Sequence, residues 1–360
     1  MFDPESFVEN AVNKLKLVEG KVVAAVSGGV DSTTAALLAY RSLRERMIPV
    51  MIDTGFLRKG EIDTVVKSLR DLIPIEVIDA RQEFMNALIG KSDAEVKRKT
   101  FREVFYRKLG KIVSEVGATH LVQGTIAADW VETAGGIKTQ HNVLLQLGLD
   151  PEKLYGFSVI EPLADLYKDE VRAVARYLGL PEEMVKRQPF PGPGLLVRTV
   201  GLVTPEKVEL CREANHVVET YLSKMGYSQY FTAIFENEGD ENEGVKRYRA
   251  RATGVKGDNR VYGGIVSIDW DLEKIESIRG LVAKLSAGDV THVMIRLSKG
   301  KGKYSIAVRA VMTEDFMTAD FARVPPEKLR EIKDELMKLP EVGEVLYDVT
   351  SKPPATIELE

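Results

Sequence analysis

Only one cysteine and four histidines occur among the 360 residues. An intramolecular disulfide is excluded, and with it a cysteine-ligated zinc cluster. The histidines, at 120, 141, 216 and 292, are well separated and suggest no metal cage. Cys211 lies in the helical pattern Val208-Glu209-Leu210-Cys211-Arg212-Glu213 and reads as a packed small hydrophobe rather than a nucleophile. No apolar run approaches the ~20 residues that span a bilayer. Met1-Phe2-Asp3-Pro4-Glu5 has no basic-then-apolar signal pattern, so a cytoplasmic protein without a membrane role is expected. Positive charge is not in excess either: the net charge of −4 argues against a general nucleic-acid binder. What is abundant is ordinary, with 44% hydrophobic and 29% charged residues, enough core for one large domain or two smaller ones.

The most informative stretch is Ser27-Gly28-Gly29-Val30-Asp31-Ser32. It follows the apolar run Val22–Val26 and precedes the helix-like Thr33-Thr34-Ala35-Ala36-Leu37-Leu38-Ala39. A buried strand thus enters a glycine turn and leaves directly into a helix. Two glycines allow positive φ, so that successive N–H groups converge on one point. The helix start adds unpaired N–H groups and its positive dipole end. With the hydroxyls of Ser27, Ser32 and Thr33, the turn favours a phosphate. It has neither the lysine nor the spacing of the P-loop G-x-x-x-x-G-K-[ST].

Strand-like segments at 22–26, 48–53, 75–79 and 120–123 alternate with helical patterns at about 33–44, 61–70, 93–116 and 169–178. Ser92-Asp93-Ala94-Glu95 fits a capping box for the third helix. This alternation predicts an α/β domain, a parallel twisted sheet with helices on both faces. Ligands of such sheets bind beyond the carboxyl ends of the strands, where the glycine turn, Asp53 and Gln123-Gly124-Thr125 all fall. Proline and glycine around Pro189–Gly194 end the pattern, which predicts domains of 1–189 and 190–360. The second is expected to be a smaller α+β domain. It has a helix from Pro205 to Met225 capped by Thr204 and stopped by Gly226, and helices near 273–285 and 326–338. Its strands are expected at about 229–235, 246–254, 261–268, 290–298 and 304–312. Lys299–Lys303 reads as a hairpin turn joining the last two, and the acidic run Glu236–Glu243 as a surface loop.

Asp53 could accept from a ribose hydroxyl or an adenine amine, or simply end a β–α turn. The polar stretch from Gly124 to Asn142 suits a lid, in which Lys138, with Lys168, could neutralise departing pyrophosphate. Asp129, Glu132 or Asp169 could hold magnesium, or be solvated charges without a role.

SGGVDS (27–32), DTGFLRKGE (53–61), EVKRK (95–99), QGTIAADWVET (123–133), IKTQHN (137–142), IEPLADLYKDEVR (160–172) and PFPGPGLLVR (189–198) occur in the order seen in GMP synthetases. In the second half GVKGDNR (254–260), DFMTA (315–319) and KPPATIE (352–358) continue the resemblance. The chain resembles the ATP pyrophosphatase portion of that family, the separate synthetase subunit of archaea, over nearly its whole length. The resemblance implies a PP-loop fold related to adenine nucleotide α-hydrolases, followed by a dimerisation domain. It also implies a cytoplasmic ligase that uses Mg-ATP to adenylate the C2 oxygen of xanthosine monophosphate (XMP), after which ammonia displaces AMP and leaves GMP.

By the same resemblance, Ser27, Gly28, Gly29, Val30, Asp31, Ser32 and Thr33 cradle pyrophosphate, while Asp53, Gly124 and Thr125 face the adenosine. Asp31, Asp129, Glu132, Lys138, His141, Lys168 and Asp169 act in catalysis, Asp31 and Asp169 as magnesium ligands. Arg98, Arg187, Pro191, Gly192, Gly194, Arg260, Lys352, Ile357 and Glu358 bind XMP. No glutaminase cysteine is present, which implies a separate class I glutamine amidotransferase subunit or free ammonia. Departures are Gln140 and Gln188 where the family has histidine, Val143–Gln146 in place of a glycine pair, Leu359 in place of an aromatic residue, and a longer stretch between Arg260 and Ala307. These leave open a diverged ligase acting on another acceptor, or a catalytically silent nucleotide-binding subunit.

Overall fold

The computed structural model describes residues 2–127, 156–257, 259–314 and 317–360. They fall into two compact units, one of residues 1–87 and 101–192 and the other of 88–100 and 193–360. The cut after Gly192 lies within the proline–glycine stretch. Segment 88–100, expected in the first domain, belongs to the second unit because its polar groups are satisfied there: Gly90 N–H donates to Val203 O, and Val203 N–H to Lys91 O.

The first unit runs α1 (Pro4–Lys16), β1 (Lys21–Ala25), α2 (Val30–Leu43), β2 (Met47–Asp53), α3 (Glu61–Leu69), β3 (Glu76–Asp79) and α4 (Arg81–Leu88). After these come α5 (Ala94–Glu115), which belongs to the first unit from Phe101 onward, β4 (Ala118–Val122), β5 (Ser158–Ile160), α6 (Lys168–Tyr177) and α7 (Glu182–Val185). Its sheet has the order β3-β2-β1-β4-β5 and every pairing is parallel, as the apolar strands between helices predicted. Successive strands move outward from β1 to β3, and β4 returns to the other side of β1. The crevice between the ends of β1 and β4 is therefore where such a sheet binds ligands. Helix α2 is buried on nearly all sides from Thr33 to Ala39, as its small apolar residues allow. Helix α1 was not expected. Its start is nonetheless well marked, since Asp3 accepts from Glu5 N–H and Pro4 occupies the first turn.

The capping box at Ser92 is replaced by a simpler cap, in which Asp93 accepts from Val96 N–H at 2.8 Å. That frees the Glu95 side chain for partners in the second unit.

The second unit contains α8 (Pro205–Leu222), β6 (Gln229–Glu236), β7 (Gly239–Asn242), β8 (Val245–Lys256), β9 (Asn259–Ile268), α9 (Arg279–Leu285), β10 (Val290–Arg296), β11 (Tyr304–Met312), β12 (Asp320–Phe321), α10 (Pro326–Leu336) and β13 (Val342–Asp348). Thr204 caps α8 through Lys207 N–H, with Pro205 in the first turn. The sheet order is β12-β11-β13-β10-β9-β8-β7, with β6 pairing β11.

Two expectations fail here. The lysine-rich segment 299–303 is not a hairpin, because β13 lies between β10 and β11 and pairs with both. The acidic run is not a loop either: Gly239–Asn242 forms β7 on the edge of β8, with Glu241 paired to Arg296 of β10 and the preceding Glu238 to Arg249 of β8. The stretch between Arg260 and Ala307 contributes β9 and β10, part of the sheet rather than an appendage. Leu359 is fully buried in the core with Phe231, Phe235 and Leu346.

Candidate functional site

In the first unit the chain leaves β1 through Val26, whose N–H donates to Val50 O, and enters the glycine turn. Gly28 has φ +81°, and a Cβ there would lie 2.6 Å from Val65 Cγ2. Only glycine fits this position without strain. The turn is tied internally by Ser32, whose Oγ accepts from Ser27 N–H at 3.1 Å and lies 2.8 Å from Ser27 Oγ. Gly29 precedes α2 and supplies no side-chain cap. The first N–H groups of α2, on Val30, Asp31 and Ser32, therefore have no acceptor within the helix. Thr33 is fully buried, and its hydroxyl has no hydrogen-bond partner among the described residues.

The end of β4 closes this turn from the neighbouring strand. A Cβ on Gly124 would lie 2.5 Å from Ser32 N and 2.6 Å from Asp31 C, so backbone meets backbone at the β1/β4 crevice. Thr125 is buried and donates to Glu161 at 2.6 Å. Lys168, the first residue of α6, places its ammonium 2.6 and 2.8 Å from the two Asp31 carboxylate oxygens. Sequence positions 137 apart thus meet at the turn. Asp169 does not join them: its carboxylate is 94% exposed and pairs with Arg172. Among the described residues no group of three or more acidic, histidine or cysteine side chains could hold a metal ion.

Asp53 is committed locally, accepting from Gly55 N–H at 3.0 Å and facing Arg81 at 3.6 Å. Arg187 lies beside the glycine turn, within 3.4 Å of a Cβ built on Gly28, and bonds the buried Glu61 at 2.5 Å. Its other terminal nitrogen is buried without a hydrogen-bond partner among the described residues. Gln188 accepts from Arg58 through its carbonyl, and the Arg58 guanidinium stacks on Phe190 at 4.4 Å. These contacts hold the strand of chain that leads to Pro191 and Gly192.

In the second unit Arg98 and Arg260 converge on Glu95, at 2.8 and 3.5 Å, and Tyr262 O–H donates to the same oxygen at 2.6 Å. Gly194 takes φ +63° at the start of a short 3-10 turn. The segment from 350 to 358 is fastened from inside. Arg309, fully buried, donates to the carbonyls of Thr350, Thr356 and Ile357, and Arg198, also fully buried, holds the Glu358 carboxylate through two 2.9 Å bonds. Lys352 exchanges backbone hydrogen bonds with Ala319. The polar groups of Ile357 and Glu358 named here thus anchor this segment.

Asp129, Glu132, Lys138, Gln140, His141, Asn142 and Val143–Gln146 lie outside the described residues, as do Asp258, Asp315 and Phe316. Tyr262 and Arg309 were not singled out by sequence reasoning; Glu61 and Arg198 entered it only inside the motifs quoted above, and Glu95 there and as a capping residue. No local pattern marks any of them for a role at the site. Cys211 is fully buried, and burial pushes its thiol up to about 11, which suits packing and not nucleophilic attack.

Residues 288–359 match the family described as GMP synthase C terminal domain, and residues 2–100 the family described as NAD synthase. The chain is 55% identical to a subunit of the glutamine-hydrolysing GMP synthase of Saccharolobus solfataricus, with 100% of both chains covered. It is 44% identical to the same subunit from Methanopyrus kandleri, again over 100% of each. Among solved structures, an ammonia-dependent NAD synthetase from Campylobacter jejuni aligns with a TM-score of 0.41 and 19% identity, covering 52% of this chain and 78% of that one. Identity at this level along the entire length, with the strand–glycine turn–helix in place, means that the chain belongs to the family of these glutamine-hydrolysing GMP synthase subunits.

Proposed function

We propose that this protein is the ATP-dependent synthetase subunit of a two-subunit GMP synthase. The triphosphate of ATP lies on the turn from Ser27 to Thr33. The C2 oxygen of XMP attacks the α-phosphorus, and the bond to the β-phosphate breaks to release pyrophosphate. Ammonia then adds at C2, AMP leaves with the former carbonyl oxygen, and loss of a proton gives GMP. Helix α2 and the turn stabilise the charge that develops on pyrophosphate. Lys168 adds a cation there while orienting Asp31. Asp129, Glu132, Lys138 and His141 complete the site, and Gly124 and Thr125 face the adenosine.

Magnesium accompanies ATP in this reading. Asp31 at the turn fits an ion carried on the triphosphate, since magnesium needs only one or two carboxylates beside phosphate oxygens. When bound, the ion neutralises phosphate charge. Asp169, turned to solvent and paired with Arg172, does not supply a second carboxylate in this arrangement. XMP is held by the groups around Arg98 and Arg260. The ammonia comes from a separate glutaminase subunit, and two copies of the chain associate through residues 190–360.

The observation that carries the reading is the turn itself, with glycine backbone, bare helix start and the Lys168–Asp31 pair at one sheet crevice. The test is a turnover assay with XMP, ATP, magnesium and ammonium. GMP, AMP and pyrophosphate in equal amounts are expected. ATP binding without these products, or turnover only with another acceptor, overturns the proposal.

A further inference from the structure

Glu95, on the first turn of α5, faces two guanidiniums with one carboxylate, which leaves the cluster with a net charge of +1. The three side chains differ in freedom. Arg98 is only 7% exposed, Arg260 32%, whereas Glu95 is 55% exposed. Arg98 is also fixed through its neighbour: Lys97, buried, donates to the carbonyls of Thr199 and Gly201 and pairs with Glu360. The buried Nε of Arg98 has no hydrogen-bond partner among the described residues, so the cluster's donors are not all used. Burial pushes the Glu95 carboxyl up, but the Tyr262 hydroxyl and both guanidiniums outweigh it and hold the group below its ordinary range.

We infer that Glu95 is a built-in competitor of the substrate's phosphate: it occupies Arg98 and Arg260 in the free protein and swings to solvent when a nucleotide monophosphate enters. This rests on the reading that these arginines take the XMP phosphate. A phosphate brings more charge and more acceptor oxygens to guanidinium forks than a single carboxylate. The two anions repel each other, and only the exposed one can leave at little cost. Glu95 then weakens the binding of XMP and GMP alike, and so speeds release of the product.

Titration calorimetry with XMP and with GMP, on wild type, Glu95→Gln and Arg98→Ala, tests this, with thermal melting of each variant as a check on folding. Glu95→Gln is expected to bind both nucleotides about two- to fivefold tighter, the size of one partly exposed ion pair. The constant for GMP inhibition should fall by the same factor. Arg98→Ala should bind both more weakly. Glu95→Ala repeats the test without an amide oxygen to hold the arginines. Equal or weaker binding by both Glu95 variants, with Arg98→Ala still impaired, overturns the competitor role and leaves the phosphate site standing. Unchanged binding by Arg98→Ala removes the site itself.

Discussion

Lys168 shows how much one side chain can be asked to do at this site. Its ammonium holds both oxygens of Asp31, so it fixes a carboxylate at the mouth of the turn while presenting positive charge to an incoming triphosphate. Neither residue is deeply buried, at 37% and 28% exposed, so the pair contributes at most about 1 kcal/mol to stability. On the proposed reading, its contribution lies in the transition state. Lys168→Ala should lower the rate of pyrophosphate release about 10²- to 10³-fold, the usual loss on removing a group that stabilises developing charge. The melting temperature should stay within about 2 °C of wild type. Pyrophosphate release at the wild-type rate would remove Lys168 from the chemistry. A large drop in melting temperature would instead make it a structural residue.

At the scale of elements, the expected strands of the first unit were legible as apolar runs bounded by turn residues and the expected helices by their periodicity, whereas α1, α4 and β5 were not. The glycine turn, Asp53 and Gly124 could be placed at one edge from that pattern alone. The meeting of Lys168 with Asp31 rested on the family resemblance, and no local pattern reports it. Strand β5, three half-buried residues, is too short to carry a period. In the second unit the error at 299–303 has a clear cause: two strands close in sequence suggested a hairpin, yet β13, which comes later in the chain, separates them. Side-chain pairs that fasten the segment from 350 to 358, such as Arg198 with Glu358, leave no trace in sequence spacing. The packing of β4 against α2 gives a sharp test of the part that was legible. Gly124→Ala puts a methyl against the backbone of Asp31 and Ser32, where neither neighbour can yield as a flexible side chain could. Displacing the start of α2 by a fraction of an ångström should reduce adenylation on the order of 100-fold. Pre-steady-state measurement of AMP transfer checks this, and wild-type transfer would mean that α2 need not be held so closely.

For the molecule as a whole, a fully buried electrostatic tie lies where three strands of the second sheet meet. Asp348 on β13 is fully buried and faces Arg309 of β11 and His292 of β10, both at 2.7 Å, while its other oxygen accepts from Thr350 N–H. Arg309 passes the connection to the carbonyls of Thr350, Thr356 and Ile357, so this carboxylate supports both the sheet and the segment carrying Lys352 and Glu358. Burial pushes the Asp348 carboxyl up, but Arg309 and His292 more than offset it and hold it at about 2, below the ordinary 3.8. A depressed carboxylate stabilises the fold at pH values above its unfolded value and ceases to do so as pH falls through its folded value. The contribution is on the order of 2 kcal/mol, present above about pH 4 and lost between there and about pH 2. Asp348→Asn keeps the shape but leaves Arg309 buried without its counter-charge, so at about pH 6 it should melt well below wild type. As the pH is lowered from about 5 to about 2.5, wild type should lose more stability than the variant, and the two melting curves should draw together. Curves that stay parallel through that interval would show that the Asp348 carboxyl titrates alike in the folded and unfolded protein, and that Arg309 and His292 do not depress it.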